Sequence, residues 1–176
     1  NHYTVYWDIF TEKDWEAREQ SYKEHIAHVK ELQRLTVDYV QPGEMQGERD
    51  HNFKSENSTP GFFKERANRE ARDGWFSFDM KTKPNQPMKL VVAYWGGFPG
   101  AKTFDILVND KVIATENMSN KKDGSFIDIQ YPIPPDLTRN RQKVTVTFRS
   151  ANHNTAGPVF GIRMISGLIL GSDLNK

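Results

Sequence analysis

The sequence predicts a mainly β protein whose principal part is an antiparallel β-sandwich of the jelly-roll kind. The first observation is a series of short runs in which apolar and polar residues alternate with a period of two. The second is that turn signals, such as Lys83-Pro84-Asn85 and Asp123-Gly124, separate these runs. The third is that no glycine-rich phosphate loop and no β-α-β alternation occurs, so a nucleotide-binding α/β fold is not expected.

A strand and a helix are expected ahead of the sandwich. The segment 1–10 is rich in aromatic and β-branched residues, which is typical of a short strand. Thr11, with Asp14 three positions later, forms an acidic variant of the capping box and predicts a helix start. Apolar residues then recur on one narrow stripe that ends near Arg34 or Leu35. The pattern predicts an amphipathic helix with one apolar face and one solvated face.

The segment 1–36 is therefore interpreted as a docking or linker segment. Trp7, Trp15 and Tyr22 form an apolar feature near the N-terminus, and we expect them to contact a preceding domain. The alternative is that the helix simply docks on its own sheet. The chain starts without Met and shows no signal peptide, so it is expected to be a fragment of a longer protein.

The predicted sandwich domain occupies 37–166. A short β run, 37–40, stops at Pro42-Gly43, and the polar segment 44–72 shows so little periodicity that we expect a long, functional loop. The later strands are predicted around the alternating runs 76–80, 90–94, 104–108, 127–129, 144–148 and 160–164. Asn109-Asp110 predicts a tight hairpin turn. The tail 167–176 is expected to be a final strand or a disordered end.

Composition excludes several functions. Lys and Arg number 24 against 23 Asp and Glu, and a net charge of +1 gives no field to attract nucleic acid. The absence of Cys excludes thiol catalysis, Cys-ligated zinc and disulfides. No apolar run approaches the roughly 18 residues of a membrane span, so neither nucleic acid nor membrane is expected as a partner.

Histidines and carboxylates give no clear catalytic or metal site. His25 and His28 have a spacing that can ligate a metal, but without an acidic partner a solvated helix face is the better interpretation. A glycosidase needs two carboxyl groups roughly 5–9 Å apart, and the spacing of Glu44, Glu48, Asp50 and Glu56 singles out no pair. The chain alone is therefore not expected to be an enzyme. No cofactor is expected either, with a structural calcium ion as an alternative that no regular oxygen-ligand spacing supports.

Aromatic residues at strand ends are the best candidates for binding. Trp95 and Phe98 flank two flexible glycines, and Trp75 is out of phase with the core positions of its strand. Flat rings of this kind stack on sugar rings while polar neighbours hydrogen-bond the hydroxyls. Arg49 and His51, in the polar cluster 48–52, could supply such bonds. The alternatives are that the rings pack under the long loop or against a neighbouring domain, and that the cluster satisfies its own backbone.

Longer motifs resemble a known family. The most specific is Val40–Phe53 (VQPGEMQGERDHNF), which looks like the C-terminal region of large bacterial proteins related to the β-L-arabinofuranosidases of glycoside hydrolase family 127. The likeness extends from about residue 3 to 165. Its further segments are YTVYWDIFT (3–11), RDGWFSFD (72–79), LVVAYWG (90–96), FDILV (104–108), YPIP (131–134), NTAG (154–157) and FGIR (160–163).

The resemblance implies an accessory sandwich appended to an upstream catalytic domain. That family's catalytic residues include a Cys and lie in an (α/α) barrel, so none has a counterpart here. The prediction is an antiparallel sandwich of jelly-roll or galactose-binding-like form that supports the glycosidase and contacts arabinose-containing glycans in the periplasm or outside the cell. The competing hypotheses are a purely structural interface domain without a ligand and, as a minor alternative, a stand-alone hydrolase.

Overall fold

The computed structural model describes residues 11–119, 121 and 123–167 of the chain. The chain divides into two compact units, Asn1–Arg34 and Leu35–Lys176. The predicted strand over 1–10, which includes Trp7, and the tail beyond Gly167 lie outside the described residues.

The helix predicted from its capping residues is confirmed as α1 (Glu12–Leu35). The hydroxyl of Thr11 accepts a hydrogen bond from the backbone N–H of Asp14 at 3.2 Å and donates one to its carboxylate at 2.6 Å. This reciprocal pair satisfies a helix N–H group that has no partner within the helix. Trp15 and Tyr22 are 58% and 65% exposed on this helix.

The second unit consists of antiparallel strands, as the alternation predicted, and of two short helices that the sequence did not predict. In the described residues the elements after α1 are β1 (Thr36–Val40), α2 (Met45–Asp50), β2 (Lys54–Phe63), β3 (Arg66–Lys81), β4 (Met88–Gly96), β5 (Thr103–Val108), β6 (Lys111–Asn117), β7 (Ser125–Ile133), α3 (Pro135–Thr138), β8 (Lys143–Ser150) and β9 (Thr155–Ser166). Neighbouring strands follow the order β6-β5-β8-β3-β9-β4-β7, with β2 paired to β3 and β1 to β9.

Strand β3 joins the two layers of the sandwich because it changes partner along its length. Its C-terminal part pairs with β8 from Trp75 to Lys81, and its N-terminal part pairs with β9 from Arg69 to Arg72. Asp73 and Gly74 lie at the change of partner. At the other side of the nearly closed sheet, the Tyr131 hydroxyl on β7 donates a hydrogen bond to Glu116 on β6 at 2.8 Å.

The core consists of the alternating residues that the sequence marked. Phe76, Phe78 and Met80 of β3 are fully buried and form one side of the core. The rings of Phe76 and Phe148 stack at 5.2 Å. Residues of β4 and β9 line the opposite layer of the same core, namely Leu90, Val92, Tyr94, Ile162 and Met164. Each such side chain contributes about 1.5–3 kcal/mol on burial. Trp75 and Trp95, one position out of phase, therefore point away from the core.

The prediction of a long loop over 44–72 is wrong. This segment forms α2, β2 and the first half of β3. Strand β2 is exposed on both faces over nearly all its length, so it carries no apolar alternation to reveal it. Its hairpin to β3 turns at Lys64 and Glu65, both with positive φ (45° and 62°). Two-residue hairpins with two positive φ values usually use Asn and Gly, so this turn lacked its usual signal.

A buried ion pair fixes α2 against β3. The Arg69 guanidinium donates to both carboxylate oxygens of Glu48, at 2.6 Å and 2.8 Å, and both side chains are at most 10% exposed. Glu48 also accepts the backbone N–H of Gly43 at 2.7 Å, while Arg69 donates to Ser58 at 3.0 Å. Two desolvated charges are tolerated here because their hydrogen-bonding groups are engaged.

Breaking this pair on one side should destabilise the domain strongly. In Arg69→Met the buried Glu48 carboxylate loses its counter-charge, and we expect a loss of about 3–5 kcal/mol in the free energy of unfolding. Urea unfolding followed by tryptophan fluorescence measures the change. Asp136→Asn, which breaks the exposed pair with Lys111, is the control and should cost about 0–1 kcal/mol. A cost for Arg69→Met no larger than that of the control would contradict the proposed role.

Asp79 ties the end of the α2 segment to the sheet. Its carboxylate accepts hydrogen bonds from Asn52 at 3.0 Å and Thr145 at 2.8 Å, and Lys143 lies 2.9 Å away. Burial by itself raises the pKa of Asp79, but these three hydrogen bonds together outweigh it. The pKa of Asp79 therefore lies below its ordinary value.

The contribution of Asp79 to stability should depend on pH. Because its pKa is lower in the folded state, the stabilisation is present above its unfolded pKa of about 3.9 and disappears as pH falls through the folded value. We expect Asp79→Asn to destabilise the domain at about pH 6, with the difference from wild type shrinking toward about pH 2.5. Urea titrations across this range test the claim. Thr145→Val, which removes one donor, should give a smaller difference of the same sign, and a pH-independent difference for Asp79→Asn would be inconsistent with this account.

Candidate functional site

The five residues predicted to face a sugar fall into three separate groups. Trp95 and Phe98 lie at the end of β4 and in the loop after it, Trp75 lies on β3, and Arg49 and His51 lie on and beside α2. Within the described residues, no hydrogen bond, ion pair or ring contact joins one group to another. Each group is therefore a separate candidate.

Trp95 and Phe98 belong to an aromatic cluster on the outer face of β4. Its members are Phe63, Trp95, Phe98, Phe126 and Phe160. Phe63 joins the two predicted residues, with its ring centroid 5.2 Å from Trp95 and 4.9 Å from Phe98. Phe126 meets both Trp95 and the buried Phe160 at 5.0 Å. Edge-to-face contacts of this type add to the packing energy of the rings.

Cations of the β2–β3 hairpin and a neighbouring lysine lie over this aromatic cluster. The Lys64 ammonium is 4.4 Å from the centroid of Trp95, and the Arg66 guanidinium is 4.2 Å from that of Phe126. The Lys102 ammonium lies 5.7 Å from the centroid of the Phe98 ring. Burial lowers the pKa of Lys102, and the charge of Glu70 acts in the opposite direction. A sugar stacking on the Trp95 face under Lys64 would have to displace that cation.

Arg49 and His51 have different surroundings. The side chain of Arg49 is exposed. The His51 ring is largely buried, with Nδ1 2.7 Å from the carbonyl of Gly47 and Nε2 3.3 Å from a carboxylate oxygen of Asp38. Both ring nitrogens are thus engaged within the domain. These contacts are those expected for a polar segment that satisfies its own backbone.

Trp75 lines a cleft of about 220 Å³ on the outer face of the layer formed by β2, β3 and β8. Its backbone pairs with Glu56 on one side and Arg149 on the other, so these three side chains share one face. The indole N–H of Trp75 donates to the Glu56 carboxylate at 3.1 Å. Asp73 and Asn152 also line the cleft. One aromatic ring thus stands among carboxylate, guanidinium and amide groups.

The floor of this cleft is held at the point where β3 changes partner. The Ser150 hydroxyl accepts the N–H of Gly74 at 2.8 Å and donates to its carbonyl at 3.0 Å. A Cβ at Gly74 would lie 2.2 Å from the carbonyl oxygen of Glu56, so glycine is required there. Asp73 accepts a hydrogen bond from the backbone N–H of His153, which ties the loop after β8 to β3.

The sequence makes Trp75 a candidate but does not show which residues surround it. Arg149 follows Phe148 on an alternating run, so its outward direction was predictable from the sequence. Its position beside Trp75 depends on the pairing of β3 with β8, which no local pattern reveals. Glu56 is one of several carboxylates in its segment, and no pattern in the sequence reveals the strand on which it lies.

In residues 11–119, 121 and 123–167, no three His, Asp or Glu side chains are grouped so that they could hold a metal ion. No helix in those residues has the length and apolar character needed to cross a membrane.

The fold is similar to that of solved carbohydrate-binding modules. A family 35 carbohydrate-binding module from Clostridium thermocellum has a TM-score of 0.53 at 8% identity, covering 73% of this chain and 97% of that one. The family 35 module of Cellvibrio japonicus Abf62 has a TM-score of 0.50 at 10% identity, covering 74% and 94%. An exo-β-1,3-galactanase from Phanerochaete chrysosporium has a TM-score of 0.52 at 12% identity, covering 72% of this chain and 28% of the enzyme.

At these identities the likeness establishes the sandwich fold. No curated protein sequence matches the chain. Residues 31–165, which include α2, the ion pair of Glu48 with Arg69 and the Trp75 cleft, match one described family. The chain therefore belongs to the protein family described as "Family of unknown function (DUF6805)".

Proposed function

We propose that this chain is a non-catalytic, carbohydrate-binding accessory domain of a glycoside hydrolase. The observation that carries the proposal is a sandwich with the fold of carbohydrate-binding modules that presents two partly exposed tryptophans, Trp75 and Trp95, on its outer faces. Flat rings beside hydrogen-bonding groups are the usual means of recognising a sugar. The domain would hold the enzyme on its glycan while a separate domain performs the hydrolysis.

The proposed parent is an enzyme related to the β-L-arabinofuranosidases of glycoside hydrolase family 127, with its catalytic domain upstream in the same polypeptide. The resemblance of Val40–Phe53 to that group supports this assignment. It also supports arabinose-containing glycans as ligands and a periplasmic or extracellular location. Within this scheme 1–36 is the docking or linker segment, 37–166 the binding domain and 167–176 a tail.

In the same scheme, the aromatic residues of the N-terminal segment contact the catalytic domain. Trp15 and Tyr22 are large, exposed side chains on α1, and Trp7 precedes them in the sequence. Aromatic side chains of this size are enriched where two protein surfaces meet. We propose that they contact the upstream domain in the full polypeptide.

A purely structural interface domain is the second candidate function. It is favoured by the internal engagement of the 48–52 cluster: Glu48 is buried against Arg69, and both nitrogens of His51 are bonded. A stand-alone hydrolase is less well supported. Glu56 and Asp73 line one cleft, but both are exposed and each already accepts a hydrogen bond from the domain, so neither has the dry environment of a general acid.

The proposal predicts measurable sugar binding by the 176-residue chain. Isothermal calorimetry against a panel of arabinose-containing oligosaccharides should give saturable binding with a Kd of about 1 mM or tighter. Phe62→Ala is the control, because Phe62 is 74% exposed and lies outside both tryptophan sites. This variant should bind as wild type does.

The absence of saturable binding across the panel would contradict the carbohydrate-binding function. In that case the structural candidate makes its own prediction. The catalytic domain of the full-length protein, expressed without this domain, should then lose solubility or thermal stability.

A further inference from the structure

We infer that the sugar site is the Trp75 cleft and that it accepts one neutral sugar residue at the end of a glycan or on a branch. This inference rests on the proposed function and specifies where and how the ligand binds. It leaves Trp95 and Phe98, the other aromatic candidates, outside the site.

The first argument compares the two tryptophans. The Trp95 ring contacts Phe63 and Phe126 and carries Lys64 over it at 4.4 Å. In the part of the chain that the structure describes, no ring or cation stacks on Trp75. A sugar can therefore stack on Trp75 without first removing a protein group, whereas stacking on Trp95 competes with an existing contact.

The second argument is that the Trp75 cleft is organised before a ligand arrives. The indole is oriented by its hydrogen bond to Glu56, and the backbone beneath it is fixed by the two bonds between Ser150 and Gly74. Arg149 is held from its other side by Asp105 at 3.3 Å. A site whose side chains are already oriented loses little conformational entropy on binding.

The third argument concerns charge and hydrogen bonding. Glu56 and Asp73 present carboxylates to the cleft, while Arg149 presents a guanidinium that it shares with Asp105. Carboxylates accept from sugar hydroxyls, a guanidinium donates to them, and the Asn152 amide can do both. Because carboxylates outnumber cations here, an anionic sugar such as a uronate would be repelled. The chemistry selects a neutral polyol ring.

The fourth argument is size. The cleft volume of about 220 Å³ lies below the roughly 300–1,000 Å³ typical of pockets for drug-sized ligands. It fits one sugar ring rather than a run of several residues. The loop after β8, tied to β3 through Asp73, closes one side of the cleft. Recognition of a chain end or a single branch residue follows from this shape.

The experiment uses the indole N–H signals of the 15N-labelled 176-residue chain, which has four tryptophans. Trp75→Ala identifies the Trp75 signal by its loss, and Trp95→Ala identifies that of Trp95. On titration with a neutral arabino-oligosaccharide, we expect the chemical shift of the Trp75 signal to change until it saturates. The chemical shift of the Trp95 signal should stay unchanged. A saturable shift confined to Trp95 would overturn the inference.

Binding affinities then test the same assignment by calorimetry. Trp75→Ala should weaken binding about tenfold or more, while Trp75→Phe, which keeps a ring, should retain most of the affinity. Glu56→Gln keeps the size of the side chain and should weaken binding by a smaller factor. Trp95→Ala should stay within about twofold of wild type. Far-UV circular dichroism verifies that each variant is folded.

The outcomes separate the inference from the proposed function. If Trp95→Ala abolishes binding and Trp75→Ala does not, the inference fails and the carbohydrate-binding function stands. If no sugar binds to the wild type, the proposed function itself fails. An oligogalacturonide that binds more tightly than the neutral oligosaccharide would overturn the assignment of a neutral ligand.

Discussion

The buried ion pair between Glu48 and Arg69 is the interaction on which the arrangement of this domain depends. It fastens α2 to the half of β3 that pairs with β9. Gln41 acts beside it, donating to the carbonyls of Ala67 and Phe160 and so linking the same two strands. Gly43 approaches β3 so closely that a Cβ would lie 2.4 Å from the carbonyl oxygen of Asn68. A charge pair excluded from water, with its donors and acceptors satisfied, tolerates no small displacement of either partner.

These contacts explain why the segment Val40–Phe53 says little about a ligand. Gln41, Glu48 and His51 use their polar groups inside the domain, on strand carbonyls, a guanidinium and a helix carbonyl. Such side chains are fixed by the fold and are not available to a ligand. The proposed function therefore places the ligand on the outer faces of the layers, where Trp75 and Arg149 lie side by side.

The parts of the structure that the sequence predicted correctly are those governed by local rules. Thr11 and Asp14 cap α1, and Asn109-Asp110 turns a hairpin with φ values of 48° and 65°. Phe76, Phe78 and Met80, the apolar positions of the alternating run in the second half of β3, are buried. The rest depends on distant pairing: β3 meets β8 and β9 in different registers, and nothing in either strand alone specifies that exchange. The sequence did not predict β2 because both faces of this strand are exposed to solvent. Apolar and polar residues alternate only in a strand that buries one face.

The change of partner in β3 also explains why a cleft exists at this place. Arg72 is the last residue of β3 paired with β9, and Trp75 is the first paired with β8. Asp73 and Gly74 between them belong to neither ladder, so the layers separate there and leave a gap that side chains line. Asp73 has a φ of 46°. The register between β2 and β3 also shifts here, between Glu56 and Ser58 of β2. On either side of this gap, the ion pair fixes one half of β3 and the buried phenylalanines fix the other. The contacts that stabilise the sandwich thus also fix the positions of Trp75, Glu56 and Arg149, the side chains of the proposed sugar site.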